Sequence, residues 1–247
     1  TKLIYVETPS NPLLKLVDLF AIAKLAKSHN IISAIDNTFA TPIVQKPHTL
    51  GIDVVIHSAT KYFGGHSDIS AGAIASTQNY VDKIWNLAKD FGGNLSDFSV
   101  WMLERSMKTL AIRVKAQQKN AKKMVRFLEK HSGVDNVYYP GLKSHEHHQL
   151  AKTQMKGFGA MLSFELSNAY DTVLFLKSLQ LIKPSMSLAG VESTMILPAI
   201  ASHALLSESD RLSQGITDQL IRFSVGIESK KDLINDIEQA LSLSKKH

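Results

Sequence analysis

The sequence predicts an α/β protein, with a mostly parallel sheet followed by a smaller α+β unit. Three observations carry this prediction. Short, nearly continuous apolar runs alternate with amphipathic stretches through the first part of the chain. A long helical stretch over 96–131 then separates that part from the rest. Beyond it, strand-length runs and helices follow in a different order, with no internal repeat and no low-complexity tract. The boundary is expected near residue 118, giving units 1–118 and 119–247.

Residues 2–7 read as the first strand. Asp18 is placed to cap a helix over 18–30, with Leu19, Ile22, Ala23 and Ala26 on one face. The runs 31–35, 53–57 and 71–75 read as further strands, apolar enough to be buried on both faces. The stretch 96–131 reads as two helices meeting near Leu110. Strands are expected at 135–139, 160–166 and 220–226, and helices at 169–180 and 230–245. Ser229-Lys-Lys-Asp232 has the form of a capping box before the last helix, whose buried stripe is Leu233, Ile234, Ile237, Ala240 and Leu241.

Composition narrows the function. The 247 residues are 44% hydrophobic and 20% charged, which argues against a disordered chain. That length buries a core without covalent staples. The absence of cysteine excludes disulfides, thiolate metal sites and a cysteine nucleophile. No run reaches the roughly eighteen apolar residues of a membrane span. The chain begins at Thr1 with no signal-peptide pattern ahead of the first strand. The net charge of +6 owes much to residues 105–130, where nine Lys or Arg stand beside one acid, Glu129. Apolar residues punctuate this run, and its one aromatic, Phe127, forms no interleaved series with the bases. The run therefore reads as the solvated face of a helix, not as a nucleic-acid stripe.

Two motifs fail on inspection. His145-Glu-His-His148 suggests a metal cluster, but a zinc helix needs His-Glu-x-x-His and Gln149 stands at the fifth position, so a polar loop is expected and no metal. Ser58-Ala-Thr-Lys61 matches the Ser-x-x-Lys of serine acyltransferases. The companion motifs fail at Ile69 and Leu110, and Ser58 closes a strand where a nucleophile opening a helix is required.

Polar groups gather where the first strands end. Asn11 follows the first, Asp36 ends the second, and Ser58, Thr60 and Lys61 follow the third. Ligands of open α/β sheets bind outside the carboxyl ends of the strands. An acid, two hydroxyls and a lysine suit pyridoxal phosphate: the amine forms a Schiff base, the carboxylate keeps the pyridine nitrogen protonated, and the hydroxyls donate to phosphate. Taken singly, Lys61 is one lysine among many and Asp36 serves equally as a loop cap.

Four segments carry a resemblance. Asp36-Asn-Thr, Ser58-Ala-Thr-Lys-Tyr with Gly64-Gly-His-Ser-Asp68, Ser187-Leu-Ala-Gly-Val-Glu-Ser193 and Ile221-Arg-Phe-Ser-Val-Gly-Ile-Glu228 resemble the Cys/Met-metabolism family of pyridoxal-phosphate enzymes. That family comprises the cystathionine γ-synthases, the cystathionine γ- and β-lyases, the methionine γ-lyases and the homoserine sulfhydrylases. The resemblance implies a fold-type-I, aminotransferase-like architecture. It implies Lys61 as the cofactor-bearing lysine and proton shuttle, Asp36 on the pyridine nitrogen, and Ser58 and Thr60 on phosphate. Arg222 would grip the substrate α-carboxylate, Asn11 the ring oxygen and the same carboxylate, and Ser187 would steady the released lysine. It further implies an amino-acid substrate, a cytoplasmic homotetramer built from dimers, and no nucleic-acid or membrane partner. The expected reaction cleaves or forms a C–S bond in cystathionine or a homoserine-derived substrate, with β-lyase or methionine γ-lyase activity as the alternative. A serine acyltransferase using Ser58 and a non-catalytic fragment are the alternatives of another class.

Two departures stand out. Family members begin well before the equivalent of Thr1, so the chain is expected to lack roughly the first third of the pattern, with sheet edges and apolar surface left exposed. Position 186, where several γ-synthases and γ-lyases carry Glu, is Met, and the next segment reads Ser-Leu-Ala-Gly. Met186 reads either as the loss of a distal recognition carboxylate, leaving β-lyase and broader γ-lyase activity open, or as a packing residue.

Overall fold

A computed structural model describes residues 1–246 as two sheets, of four and five strands. The first runs β1 (Leu3–Glu7), β2 (Ile32–Asp36), β3 (Val54–Ser58) and β4 (Gly72–Ser76) in sequential order. The first three are parallel, with Glu7 opposite Asp36 and Asp36 opposite Ile56. Helix α1 (Leu19–Ser28) makes the first crossover, and Asp18 caps it by accepting from Ala21 N–H at 2.9 Å. Helix α2 (Thr41–Val44) and a 3₁₀ turn at Pro47–Leu50 make the second.

Two features of this sheet differ from expectation. β4 runs antiparallel to β3, because the intervening segment folds back beside the strand instead of crossing the sheet. Burial on both faces holds for β2 and β3 only. Leu3 and Tyr5 of the edge strand β1 and Ile74 of β4 are exposed. The expectation did not include α3 (Gln78–Phe91), which has no buried residue and leaves Phe91 82% exposed.

Helices α4 (Asp97–Met107) and α5 (Leu110–Leu128) fill the expected helical stretch and meet at Lys108–Thr109. On α5, Leu110, Val114, Met124, Val125 and Leu128 are buried whereas Ile112 is exposed. The second sheet has the order β5-β6-β9-β8-β7, comprising β5 (Val134–Tyr138), β6 (Met161–Leu166), β7 (Lys183–Pro184), β8 (Thr194–Ile196) and β9 (Leu220–Ser224). Only β7 and β8 pair in parallel. Helices α6 (His148–Gln154), α7 (Thr172–Ser178), α8 (Glu208–Ser213) and α9 (Lys230–Ser244) complete the chain.

The expected side-chain capping box of α9 does not form. Ser229 occupies the cap position without a side-chain bond. Asp232 is one methylene shorter than the Glu that normally reaches back.

One apolar core joins the two sheets. It takes in Phe39, Val44 and Tyr62 from the segments that follow β2 and β3, Val114 and Met124 from α5, and Phe164, Ile221 and Phe223 from the second sheet. Each such side chain contributes about 1.5–3 kcal/mol on burial. The core fixes the strand ends that carry the polar residues. Among the described residues no helix is long and apolar enough to cross a membrane.

Candidate active site

The parallel register brings the ends of β1 and β2 level, with β3 two residues longer, so Glu7, Asp36 and Ser58 close neighbouring strands. Thr38 ties two of them together. Its N–H donates to Asp36 Oδ1 at 2.9 Å, and its hydroxyl oxygen accepts from Ser58 N–H at 2.8 Å. Thr38 was not among the residues expected at the site, although the Asp36-Asn-Thr motif contains it. Like charge from Asp36 and, more strongly, burial raise the Glu7 carboxyl above its ordinary value, while Asn11 N–H opposes this by donating to Glu7 at 3.2 Å.

After β3 the chain makes a tight turn. Lys61 N–H donates to Ser58 O at 3.0 Å, Gly64 N–H to Ala59 O at 2.8 Å, and Gly65 N–H to Lys61 O at 2.7 Å. Thr60 is partly committed within it. Its hydroxyl accepts from Ala71 N–H at 2.9 Å and faces Ala71 O at 3.3 Å. The longer contact leaves its proton the more available group for a ligand. The Ser58 hydroxyl has no hydrogen-bond partner among the described residues, and neither does the Lys61 amine. Lys61 is half-buried, and burial first, then the Arg222 charge, lower its pKa.

Arg222 lies at the centre of β9, 4% exposed. Nη1 donates to Asn11 Oδ1 at 3.3 Å and Nη2 to Met186 O at 2.9 Å. No carboxylate pairs with it among the described residues, and burial pulls its pKa down to about 10. A buried cation without a counter-ion is costly, which suits Arg222 chemically to receive an anion. Met186 is 62% exposed and packs little against the described residues.

Ser187 is half-buried and hangs from β8 and β9. Thr194 hydroxyl donates to its carbonyl at 2.9 Å, and Ala189 N–H donates to Ser224 Oγ at 2.6 Å. Ala189 sits at φ +66°, where glycine is favoured, so the Ala in this segment is accommodated with strain. No hydrogen bond links Ser187 to Lys61 among the described residues. The structure thus joins Asn11 to Arg222, Asp36 to Ser58 through Thr38, and Lys61 to the Arg222 field, and leaves Ser187 apart on the loop between β7 and β8.

Other readings find no support in the geometry. Ser58 has no base in hydrogen-bond contact among the described residues, and His57 is buried, stacked on Phe63 at 4.6 Å. His147 and His148 are separately engaged, with Leu16 N–H and Pro140 O, and no group of three potential ligands forms a metal site among the described residues. A cavity of about 700 Å³ beside β5, lined by Leu13, Tyr138, Leu142 and Leu212, contains none of the expected site residues.

The chemistry of the donor set fits pyridoxal phosphate. An unpaired, partly desolvated amine, a carboxylate at a strand end and a free hydroxyl are three of its requirements, and the unpaired buried guanidinium beside them suits the carboxylate of an amino acid. A family model described as Cys/Met metabolism PLP-dependent enzyme matches residues 1–242. Cystathionine β-lyase of Lactococcus lactis subsp. cremoris is 46% identical over 242 residues, covering 98% of this chain and 64% of that protein. Cystathionine γ-lyase of Bacillus subtilis (strain 168) is 46% identical with the same coverage. The crystal structure of cystathionine γ-lyase from Lactobacillus plantarum complexed with L-serine matches with a TM-score of 0.96 and 45% identity, over 98% of this chain and 64% of that one. The chain therefore spans a little under two thirds of the length of these relatives.

Proposed function

We propose a function from one premise: the chain belongs to the Cys/Met metabolism family of PLP-dependent enzymes, with their fold-type-I architecture. The function is cleavage or formation of a C–S bond in cystathionine or a homoserine-derived amino acid. The observation that carries it is Arg222, a buried guanidinium with no carboxylate partner among the described residues, whose charge reaches the unpaired amine of Lys61. Those are a binding group for an α-carboxylate and a base for an α-proton.

When bound, pyridoxal phosphate supplies an aldehyde that condenses with amines and a ring that takes up the electron pair of a carbanion. The chain's residues do the rest. Lys61 Nζ would hold the cofactor. Once displaced, it accepts the substrate α-proton, helped by a pKa that burial and Arg222 have lowered. Arg222, steadied by Asn11 Oδ1 and Met186 O, holds the α-carboxylate and so aims the Cα–H bond. Asp36, fixed by Thr38 N–H, places its charge for the pyridine nitrogen. Ser58 and Thr60 donate to phosphate, and Ser187 receives the freed lysine.

Met186 itself offers no carboxylate for a distal amino group, which keeps β-lyase and methionine γ-lyase activity as the second reading. The same proposal extends to a homotetramer in the cytoplasm. Exposed apolar side chains on α3 and α4, including Trp85, Phe91, Phe98 and Trp101, support association between copies. Incubation of the chain with pyridoxal phosphate and cystathionine or methionine, with assay of released thiol and 2-oxo acid, tests the reading. Pyruvate from cystathionine marks β-cleavage, 2-oxobutyrate marks γ-cleavage, and no product from either substrate, together with no thioether formed from an O-acylhomoserine and cysteine, contradicts the function.

A further inference from the structure

We propose that Arg113 is the positioning residue for Lys61: its buried guanidinium holds the carbonyls that end the Lys61 turn and so fixes where the amine stands. The inference rests on the reading of Lys61 as the cofactor-bearing lysine.

Arg113 lies in the first turn of α5, 5% exposed, and pairs with no carboxylate among the described residues. A buried guanidinium is tolerated only when its N–H groups are satisfied. Nη1 donates to Tyr62 O at 2.7 Å. Nη2 donates to Phe63 O at 3.1 Å and to Ser106 O at 2.9 Å. Nε donates to Thr109 Oγ1 at 3.1 Å. Two of these acceptors directly follow Lys61.

Four carbonyls of the turn have identified donors. Those of Ala59 and Lys61 accept from Gly64 and Gly65 N–H. Those of Tyr62 and Phe63 have no backbone donor among the described residues, and Arg113 takes both. It completes the turn as a basic side chain completes the end of a helix. It also anchors that turn to the α4–α5 junction through Ser106.

Gly65 makes room for the guanidinium. A Cβ there would stand 2.1 Å from Arg113 Nη1, and the residue's φ of +74° also favours glycine. The same stretch of α5 reaches the Ser187 segment. Gln117 Nε2 donates to Gly190 O at 2.7 Å, and Val191 N–H donates to Gly65 O at 2.9 Å. One turn of helix thus sets the lysine turn and the segment after Ser187 against each other. A lysine at 113 would keep the charge but lacks the planar fork that reaches three diverging carbonyls.

Arg113→Met and Arg113→Lys, compared with the unaltered chain, test this. The first readout needs no cofactor: the pH profile of Lys61 acetylation, followed by peptide mass. Loosening the turn exposes the amine, so both variants should react along a profile displaced to higher pH, with Arg113→Met moved further. The second readout is the rate of borohydride-fixed attachment of pyridoxal phosphate at Lys61. It should fall about tenfold or more in Arg113→Met, and methylguanidinium should restore part of it. Unchanged acetylation and attachment in a folded Arg113→Lys overturn the inference, and that variant decides if Arg113→Met fails to fold. Failure of the unaltered chain to attach the cofactor overturns the reading of Lys61 instead, and the acetylation profile still decides whether Arg113 sets the amine.

Discussion

The Arg222 guanidinium donates to Asn11 Oδ1, joining residues 211 apart in the sequence across the gap between the two sheets. The contact leaves the guanidinium's charge unneutralised while restricting its orientation. Arg222→Leu should therefore raise KM for the amino-acid substrate about 10²-fold, with a smaller effect on kcat. Asn11→Ala, which removes the orienting acceptor, should raise KM by less than about tenfold. Steady-state kinetics on the two variants check this; equal effects would mean that Asn11 does more than orient.

Arg222 also acts on Lys61 at a distance. Burial is the larger cause of the lowered lysine pKa and the Arg222 charge the second. A lowered pKa frees more amine at a given pH, so attachment of pyridoxal phosphate at Lys61 should rise at lower pH than for an exposed lysine. Removing the cation in Arg222→Leu should move that profile up in pH without bringing it to the ordinary lysine value, because burial remains. Attachment rate against pH, measured without substrate, gives the comparison.

His57 predicts the acid sensitivity of the fold. Burial lowers its pKa from 6.5 to about 4, against the opposing pull of the Asp36 charge. The native imidazole is thus neutral where the unfolded one is protonated. Stability should be full above about pH 6.5 and fall as pH drops towards 4, by about 3 kcal/mol from this group. His57→Phe keeps the stack on Phe63 and removes the titration. Urea unfolding at several pH values should show a flatter acid limb in the variant.

Asp236 of α9, 5% exposed, accepts from three successive backbone N–H groups, those of Gln180, Leu181 and Ile182, at 2.8, 3.0 and 2.8 Å. This carboxylate fixes the segment between α7 and β7. Asp236→Ala leaves those donors without their acceptor and should cost about 3 kcal/mol. Chemical denaturation at neutral pH measures it.

Much of this was legible in the sequence because it was locally encoded. The apolar stripe behind Asp18 foretold α1, and the runs of β1 to β3 foretold strands whose ends carry Asp36, Ser58 and Lys61. Strand direction was not legible at β4, since an apolar run reads the same either way and the fold-back after the Lys61 turn decides it. β7 and β8, of two and three residues, are too short to show a period. α3 does carry helical spacing at Val81, Ile84 and Ala88, but these are too few to mark a helix and each is only partly buried. Arg113 was hidden among the cations of 105–130. Only its acceptors, 51 and 50 positions away in the chain, set it apart from the exposed Lys115 and Lys119.

The central claim is that Lys61 carries the cofactor. The most direct test treats the chain with pyridoxal phosphate, reduces it with borohydride, and maps the modified peptide, with Lys61→Ala alongside. The account predicts one phosphopyridoxyl group on the peptide containing Lys61 and none in the variant. Label spread over surface lysines, or label unchanged in Lys61→Ala, would contradict it.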